Sequence, residues 1–162
     1  MKKTITFMLV AMLLFISSSS AAFANSSNDN NSIEMFDDGS YFETIITDEP
    51  LNPETDTEPT AKGRITVNKS KTTYYKNASG QVMWYVKVTG NFTYGNGSAV
   101  CNSATVKAES NSTAWKISNR SSSKYGNKAT AKATGKKYVQ GVMVHTITKK
   151  VTLTCSPTGQ FS

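Results

Sequence analysis

The chain has 162 residues and a formal net charge of +7, with 38% hydrophobic residues, a single histidine and two cysteines. That length suits one domain of ordinary size with a modest core. One histidine and two cysteines are too few for a multi-ligand zinc centre, and neither a glycine-rich phosphate loop nor a G-x-S-x-G turn occurs.

Residues 1–24 read as a secretory signal peptide. Lys2 and Lys3 precede an apolar run from Ile5 to Ile16, and Ala22-Phe23-Ala24 supplies an A-x-A cleavage site. The run is about a dozen residues against roughly 20 for a membrane span, so export is expected rather than an uncleaved anchor. A secreted, extracellular location follows as an expectation. No cysteine stands just after the run for lipid attachment, and Pro157 to Ser162 is polar.

Residues 25–60 carry ten acids and no lysine or arginine. An Asn/Ser-rich start, three prolines (Pro50, Pro53, Pro59) and high charge predict a disordered acidic leader, since so little apolar content cannot offset the entropy of ordering. Met35-Phe36, Tyr41-Phe42 and Ile45-Ile46 interrupt it. They are either a sticky stretch in a disordered segment or a short segment that docks on the domain or a partner.

From residue 61 to 162 the texture is that of β structure: Val, Thr, Tyr, Ile and Trp alternate with polar residues, and Gly/Asn/Ser clusters separate the runs. Arg64 to Val67 is a first short strand. Thr72–Lys76 and Val82–Phe92 flank the hairpin signal Asn77-Ala78-Ser79-Gly80. In the longer run Trp84, Val86, Val88 and Phe92 share a face, with Gly90 at a bend or bulge. Tyr94-Gly95-Asn96-Gly97 is a turn. Ala99–Ala108 is a strand in which Cys101 has the opposite parity to Ala104 and Val106, which requires a bulge between them if all three point inward. Ala114–Ser118 is short, with Trp115 and Ile117 on one face, and Arg120–Asn127 reads as a polar loop.

The last hairpin runs Ala129-Ala131-Ala133 against Val151-Leu153-Cys155. Buried must face buried, so the paired numbers must sum to an even value. A three-residue loop at Val139-Gln140-Gly141 satisfies this by pairing Tyr138 with Val142, Ala133 with Ile147 and Ala129 with Val151, with Gly141 left-handed. It leaves Lys149 pointing inward, so that its ammonium must reach an edge or solvent. Seven or so short strands, with no helical stretch after residue 24, predict an all-β fold: an antiparallel β-sandwich. Trp115 between Cys101 and Cys155 resembles the Cys…Trp…Cys rhythm of immunoglobulin domains, although Leu153 stands where a tyrosine corner would put Tyr.

In an exported chain Cys101 and Cys155 are expected to form one disulfide, contributing roughly 4 kcal/mol on the chain-entropy model. The alternatives are two free thiols or an intermolecular bond. His145 has no partner acid in the domain except Glu109, so no catalytic residues are assigned, no cofactor is implied, and a non-enzymatic role is expected.

The part after residue 60 has sixteen lysines and arginines against one acid. Lys124, Lys128, Lys132, Lys136, Lys137 and Lys150 are the candidate site for a polyanion: an anionic envelope or matrix polymer, or anionic lipid. The competing reading is a solvated face that protects sheet edges from aggregation. Only Tyr125 and Tyr138 flank the stripe, which places nucleic acid low among the partners. The acidic leader, tethered at high effective concentration, could mask the basic face.

The series Trp84-Tyr85-Val86-Lys87-Val88-Thr89-Gly90, Phe92-Thr93-Tyr94, Cys101, Trp115-Lys116, Gly126-Asn127-Lys128-Ala129-Thr130-Ala131 and Val151-Thr152-Leu153-Thr154-Cys155-Ser156-Pro157 resembles small secreted proteins of clostridial and related Gram-positive bacteria, a family without an assigned function. The resemblance spans roughly residues 61–162 and implies an extracellular bacterial protein. It supplies no site residues. The expectation is therefore a secreted, non-catalytic binding or surface-interaction module for anionic polymers. The alternative is a secreted antagonist or antimicrobial factor acting on anionic membranes.

Overall fold

A computed structural model describes residues 31–50 and 63–162. The signal peptide expected at 1–24, and the leader residues 25–30 and 51–60, lie outside the described residues. Every regular element described is a strand: β1 (Asn31–Met35), β2 (Tyr41–Glu49), β3 (Ile65–Lys76), β4 (Val82–Gly95), β5 (Ser98–Ser110), β6 (Trp115–Tyr125), β7 (Lys128–Val139) and β8 (Val142–Thr154). They form two antiparallel sheets, β1-β2-β3-β4-β5 and β6-β7-β8. Each strand pairs with its neighbour in sequence, so both sheets are meanders. The immunoglobulin fold instead needs Greek-key connections, and none occurs among the described residues.

The sheets pack with β4 over β7 and β8. Alternation in β4 sends Trp84, Val86, Val88 and Phe92 inward, all fully buried, against Ala129, Ala131 and Ala133 of β7 and Val151 and Leu153 of β8. Large residues on one layer meet small ones on the other, which lets the backbones approach. Gly135 carries this furthest: the Trp84 ring lies where its side chain would be, and a Cβ there would sit 2.6 Å from Trp84 Cε2. Trp84 also joins an aromatic cluster with Phe42, Tyr75 and Trp115, at centroid distances of 5.9, 6.0 and 6.3 Å. Burying side chains of this kind contributes about 1.5–3 kcal/mol each.

The leader is not disordered where it is described. Residues 31–49 form the β1–β2 hairpin, which extends sheet one from β3, with Phe42 opposite Tyr75 and Glu49 opposite Asn68. Two forces overcome its charge. Phe42 is buried between Phe36, Tyr75 and Trp84. Of the five ion pairs among the described residues, four tie this hairpin to lysines of other strands: Glu34–Lys149, Glu43–Lys76 (2.5 Å), Asp48–Lys69 and Glu49–Lys87 (2.5 Å). Charge that argues for disorder in isolation here meets opposite charge far away in sequence.

The bulge required by Cys101 is present. Phe92 pairs with Cys101 and Asn91 with Ser103, leaving Asn102 as the extra residue. Its Nδ2 donates to Asn91 Oδ1 (2.7 Å) and Thr93 Oγ1 (2.8 Å), so the bulge is pinned by side chains of the partner strand.

The β7–β8 register differs from expectation by two. The loop is two residues, Gln140 and Gly141, both with positive φ (49° and 82°), the geometry of a type I′ turn. Val139 pairs with Val142 and Tyr138 with Met143, but Lys137 pairs with His145. Val144 is a bulge, and it restores the even sum that a two-residue loop by itself violates. Ala131 therefore faces Val151, and Ala133 faces Lys149. The inward Lys149 ends over the Phe42 ring, 4.3 Å from its centroid, and pairs with Glu34.

The segment expected to be a polar loop after Arg120 is the second half of β6. It runs beside β5 without a ladder, joined by side chains: Arg120 Nε donates to Ala108 O (2.8 Å), Ser122 Oγ to Ala104 O (3.2 Å) and Lys124 Nζ to Asn102 O (2.5 Å). The open edge of β5 is thus covered by donors from the other sheet.

The expected disulfide is not formed. Cys101 and Cys155 are buried free thiols. Each donates to a carbonyl close by in its own segment, Cys101 Sγ to Ser103 O (3.2 Å) and Cys155 Sγ to Ser156 O (3.4 Å). The layers are held instead by the aromatic–alanine interface and by the Gly126–Asn127 turn. That turn receives the N–H of Cys101 on Gly126 O (2.8 Å) and the N–H of Cys155 on Asn127 O (3.0 Å).

Candidate functional site

Sheet two, from Trp115 to Thr154, carries nine lysines and arginines and no aspartate or glutamate. Its inner face is apolar, so alternation sends the even-numbered residues of β7 outward. The resulting lattice has Lys128 opposite Thr154, Thr130 opposite Thr152, Lys132 opposite Lys150, Thr134 opposite Thr148 and Lys136 opposite Thr146. Threonine rungs lock by hydroxyl contacts, Thr130–Thr152 at 3.1 Å and Thr134–Thr148 at 2.8 Å. Lys128, Lys132 and Lys136 recur every four residues, about 13 Å apart at strand rise.

The structure divides the six candidate lysines. Lys128, Lys132, Lys136 and Lys150 share this outer face. Lys124 does not: its ammonium is held by Asn102 O in the β5–β6 seam. Lys137 lies in register between Trp115 and His145, with the parity of the inner face. Lys116, opposite Lys136 on β6, belongs to the outer face and was not selected from sequence. Its signal was present in its alternation with Trp115 and Ile117. Its ammonium lies 5.0 Å from the Tyr138 ring centroid, which adds one aromatic to the face.

Lys132 and Lys150 are directly opposed like charges with Ser121 on the remaining side. Such a pair destabilises a sheet. No acid of the β1–β2 hairpin ion-pairs with it: Glu34, Glu43, Asp48 and Glu49 meet Lys149, Lys76, Lys69 and Lys87, and Asp38 accepts from Ser40. Among the described residues, no acid of the leader hairpin forms an ion pair with any of the six candidate lysines.

A second cluster surrounds the single histidine. Phe36, Asp37, Asp38, Ser40, Tyr75, His145 and Ile147 line a shallow cleft of about 300 Å³. Asp38 lies in the leader, where the sequence offered no reason to place it near His145. Ser40 donates to Asp38 Oδ1 through both its hydroxyl (2.5 Å) and its N–H (3.0 Å), and Tyr75 donates to Ser40 Oγ (3.0 Å). These bonds from Ser40 hold the Asp38 carboxyl below its ordinary range, with a smaller contribution from the nearby His145. The Ser40 proton is committed to the carboxylate, and His145 contacts the Trp115 ring edge-on at 6.0 Å. The group fixes the β1–β2 turn on the core.

Glu109, the acid considered beside His145 from sequence, lies elsewhere. It accepts from Tyr85 OH (2.8 Å) and pairs with Lys107 (3.5 Å). Burial, then the bond to Glu109, pushes the Tyr85 hydroxyl up to about 12. A second depression, about 710 Å³, is lined by Asn127, Thr154, Ser156, Pro157, Gln160, Phe161 and Ser162, whose polar side chains are hydroxyls and amides. No group of three or more metal-ligating side chains is found among the described residues. No described helix is long and apolar enough to cross a membrane. Comparison with known proteins finds no matching family model, curated protein or solved structure.

Proposed function

We propose that this chain is an exported, non-catalytic binding module whose outer lysine–threonine face on β6–β8 holds an anionic polymer of a cell envelope or matrix. The observation that carries the reading is the Lys132–Lys150 pair, two like charges opposed on a sheet that has no carboxylate. A polyanion laid across β6–β8 would relieve that repulsion. The hydroxyls of Thr130, Thr148 and Thr152 between the lysine rungs add neutral donors, while Thr134 is buried.

Lys116, Lys128, Lys132, Lys136 and Lys150 supply five cations. At about 0.8 counterions released per contact, the logarithm of affinity should fall with the logarithm of salt at a slope of about −4. Raising salt fourfold then weakens binding by about 250-fold. The test is retention of residues 25–162 on immobilised heparin and on wall phosphate polymer across a salt series. Lys132→Gln with Lys150→Gln should lower both retention and slope. No retention at 20 mM salt, or a double variant that elutes with the parent, would refute the reading.

A further inference from the structure

The residues flanking the Gln140-Gly141 turn of the β7–β8 hairpin are apolar and bare. Val139, Val142, Met143 and Val144 are 50%, 64%, 52% and 54% exposed. They are consecutive around the two-residue turn, so they form one patch rather than scattered residues. Alternation turns Val142 and Met143 to opposite faces of the hairpin and Val144 is the bulge, yet all four are left at least half exposed at the tip. Nothing in the core uses them: the buried part of the hairpin starts at Gly135 and Ile147.

Behind this tip stands a basic collar. Lys136 and Lys137 precede Val139 by three and two residues, and Lys116 lies opposite Lys136. At strand rise the collar is about 7–10 Å behind the tip. Tyr138 sits between the two layers, with the Lys116 ammonium over its ring. No carboxylate stands on β6, β7 or β8; the nearest acids to the collar are Asp37 and Asp38 of the β1–β2 turn, which line the cleft beside His145, the partner of Lys137. An apolar end of that depth, then an amphipathic aromatic, then cations is the order of chemistry met on entering an anionic bilayer: acyl boundary, interface, phosphate.

We propose that the β7–β8 tip is a membrane-docking site that inserts Val139, Val142, Met143 and Val144 into the interface of an anionic lipid bilayer, with Lys116, Lys136 and Lys137 on the phosphates. This site is separate from the central rungs of the polymer-binding face. It needs no spanning segment, because insertion to about 5–10 Å suffices for peripheral binding. The rigid type I′ turn presents the patch without ordering a loop, so little entropy is lost on docking.

The test is co-sedimentation of residues 25–162 with vesicles of phosphatidylglycerol and phosphatidylcholine in equal parts, compared with phosphatidylcholine alone. Binding is expected only with the anionic vesicles. Val142→Asp with Met143→Asp should abolish it while the thermal midpoint stays as in the parent and heparin retention falls only slightly, the new carboxylates lying within a screening length of Lys116 and Lys136 but farther from the Lys132–Lys150 rung. Lys136→Gln with Lys137→Gln should weaken it by about 25-fold, near fivefold per lysine at a membrane surface. Val142→Trp should show a blue-shifted emission on the vesicles and quenching by lipids brominated near the headgroup. Three results overturn the proposal. One is anionic-vesicle binding that the double aspartate variant leaves unchanged. Another is a Val142→Trp emission that stays water-like on bound vesicles. The third is a dimer in sedimentation that the aspartates dissociate, with no vesicle binding. Loss of heparin retention in Lys132→Gln, Lys150→Gln with vesicle binding intact would separate the two sites.

Discussion

Replacing Lys150 by threonine should make the protein more stable and a poorer ligand for polyanions. Lys150 lies directly opposite Lys132, while the rungs on either side of that pair, Thr130–Thr152 and Thr134–Thr148, are threonine pairs joined through their hydroxyls. The Cβ atoms of an opposed pair lie about 5 Å apart, and the ammonium groups can diverge to roughly 8 Å. At that distance two unit charges in water repel by about 0.5 kcal/mol. The described residues number about 120, giving an unfolding entropy near 0.25 kcal/mol/K, so Lys150→Thr should raise the melting temperature by about 2 °C. The gain is electrostatic. It should be present at 20 mM salt and fall below about 1 °C at 0.5 M, where the screening length is near 4 Å. Differential scanning calorimetry of parent and variant at the two salts reads both numbers, and heparin retention should drop in parallel. A melting point that falls at low salt, or rises equally at both salts, would refute the argument that these lysines are held together at a cost.

Gly135→Ala should cost about 1–3 kcal/mol in urea unfolding, because the added Cβ meets Trp84 at 2.6 Å; an unchanged midpoint would show that the Trp84 ring is free to move. Phe42→Ala should cost about 3–5 kcal/mol and release the β1–β2 hairpin first, seen as loss of amide-exchange protection in 31–49 ahead of β4 and β7; uniform loss would contradict docking through this ring. Acid should loosen the same hairpin. Bonds from Ser40 lower Asp38, and bonds from Lys87 and Ser70 lower Glu49, so both carboxyls titrate below their unfolded values. Their stabilisation is complete above the unfolded carboxylate range, near pH 4, and is lost as pH falls through the lower folded values. Exchange in 37–49, corrected for intrinsic rate, should therefore speed up below pH 4, and equal protection at pH 3 and pH 6 would refute this. Burial raises Cys101, and burial with the neighbouring Cys101 pushes Cys155 up to about 11, so alkylation at pH 8 should be far slower folded than in urea; equal rates would contradict the buried thiols.

Where one face of a strand was buried, the sequence was enough to fix local detail. The parity of Cys101 against Ala104 and Val106 required an extra residue, and Asn102 is that residue. Gly90 marked the neighbourhood of the same irregularity. The β7–β8 parity rule also held, yet it admitted more than one solution: the Val144 bulge shifts the register by two while keeping Ala opposite Val and Leu. The second half of β6 was invisible because its polar side chains bond to β5 carbonyls, so it shows no apolar alternation. For residues 31–49 local charge argued for disorder, but the alternative of a docking segment is what the structure shows, because the partners of Glu34, Glu43, Asp48 and Glu49 lie on β3, β4 and β8 and Phe42 packs on the core. For the site, the four-residue spacing of Lys128, Lys132 and Lys136 put them on one face correctly. The allocation of Lys124 to the seam, and of Lys137 to the parity of the inner face, depended on strand pairings that composition does not encode.

The meander order has a kinetic consequence. Because every ladder joins strands adjacent along the chain, no pairing waits for a distant segment to be made, and closure entropy is met in small instalments. A polypeptide emerging N-terminus first can zip each hairpin as it appears. Only the final folding of β6–β8 onto β3–β5 must await the last residues, which makes the burial of Trp84 and Leu153 the late, cooperative event of assembly.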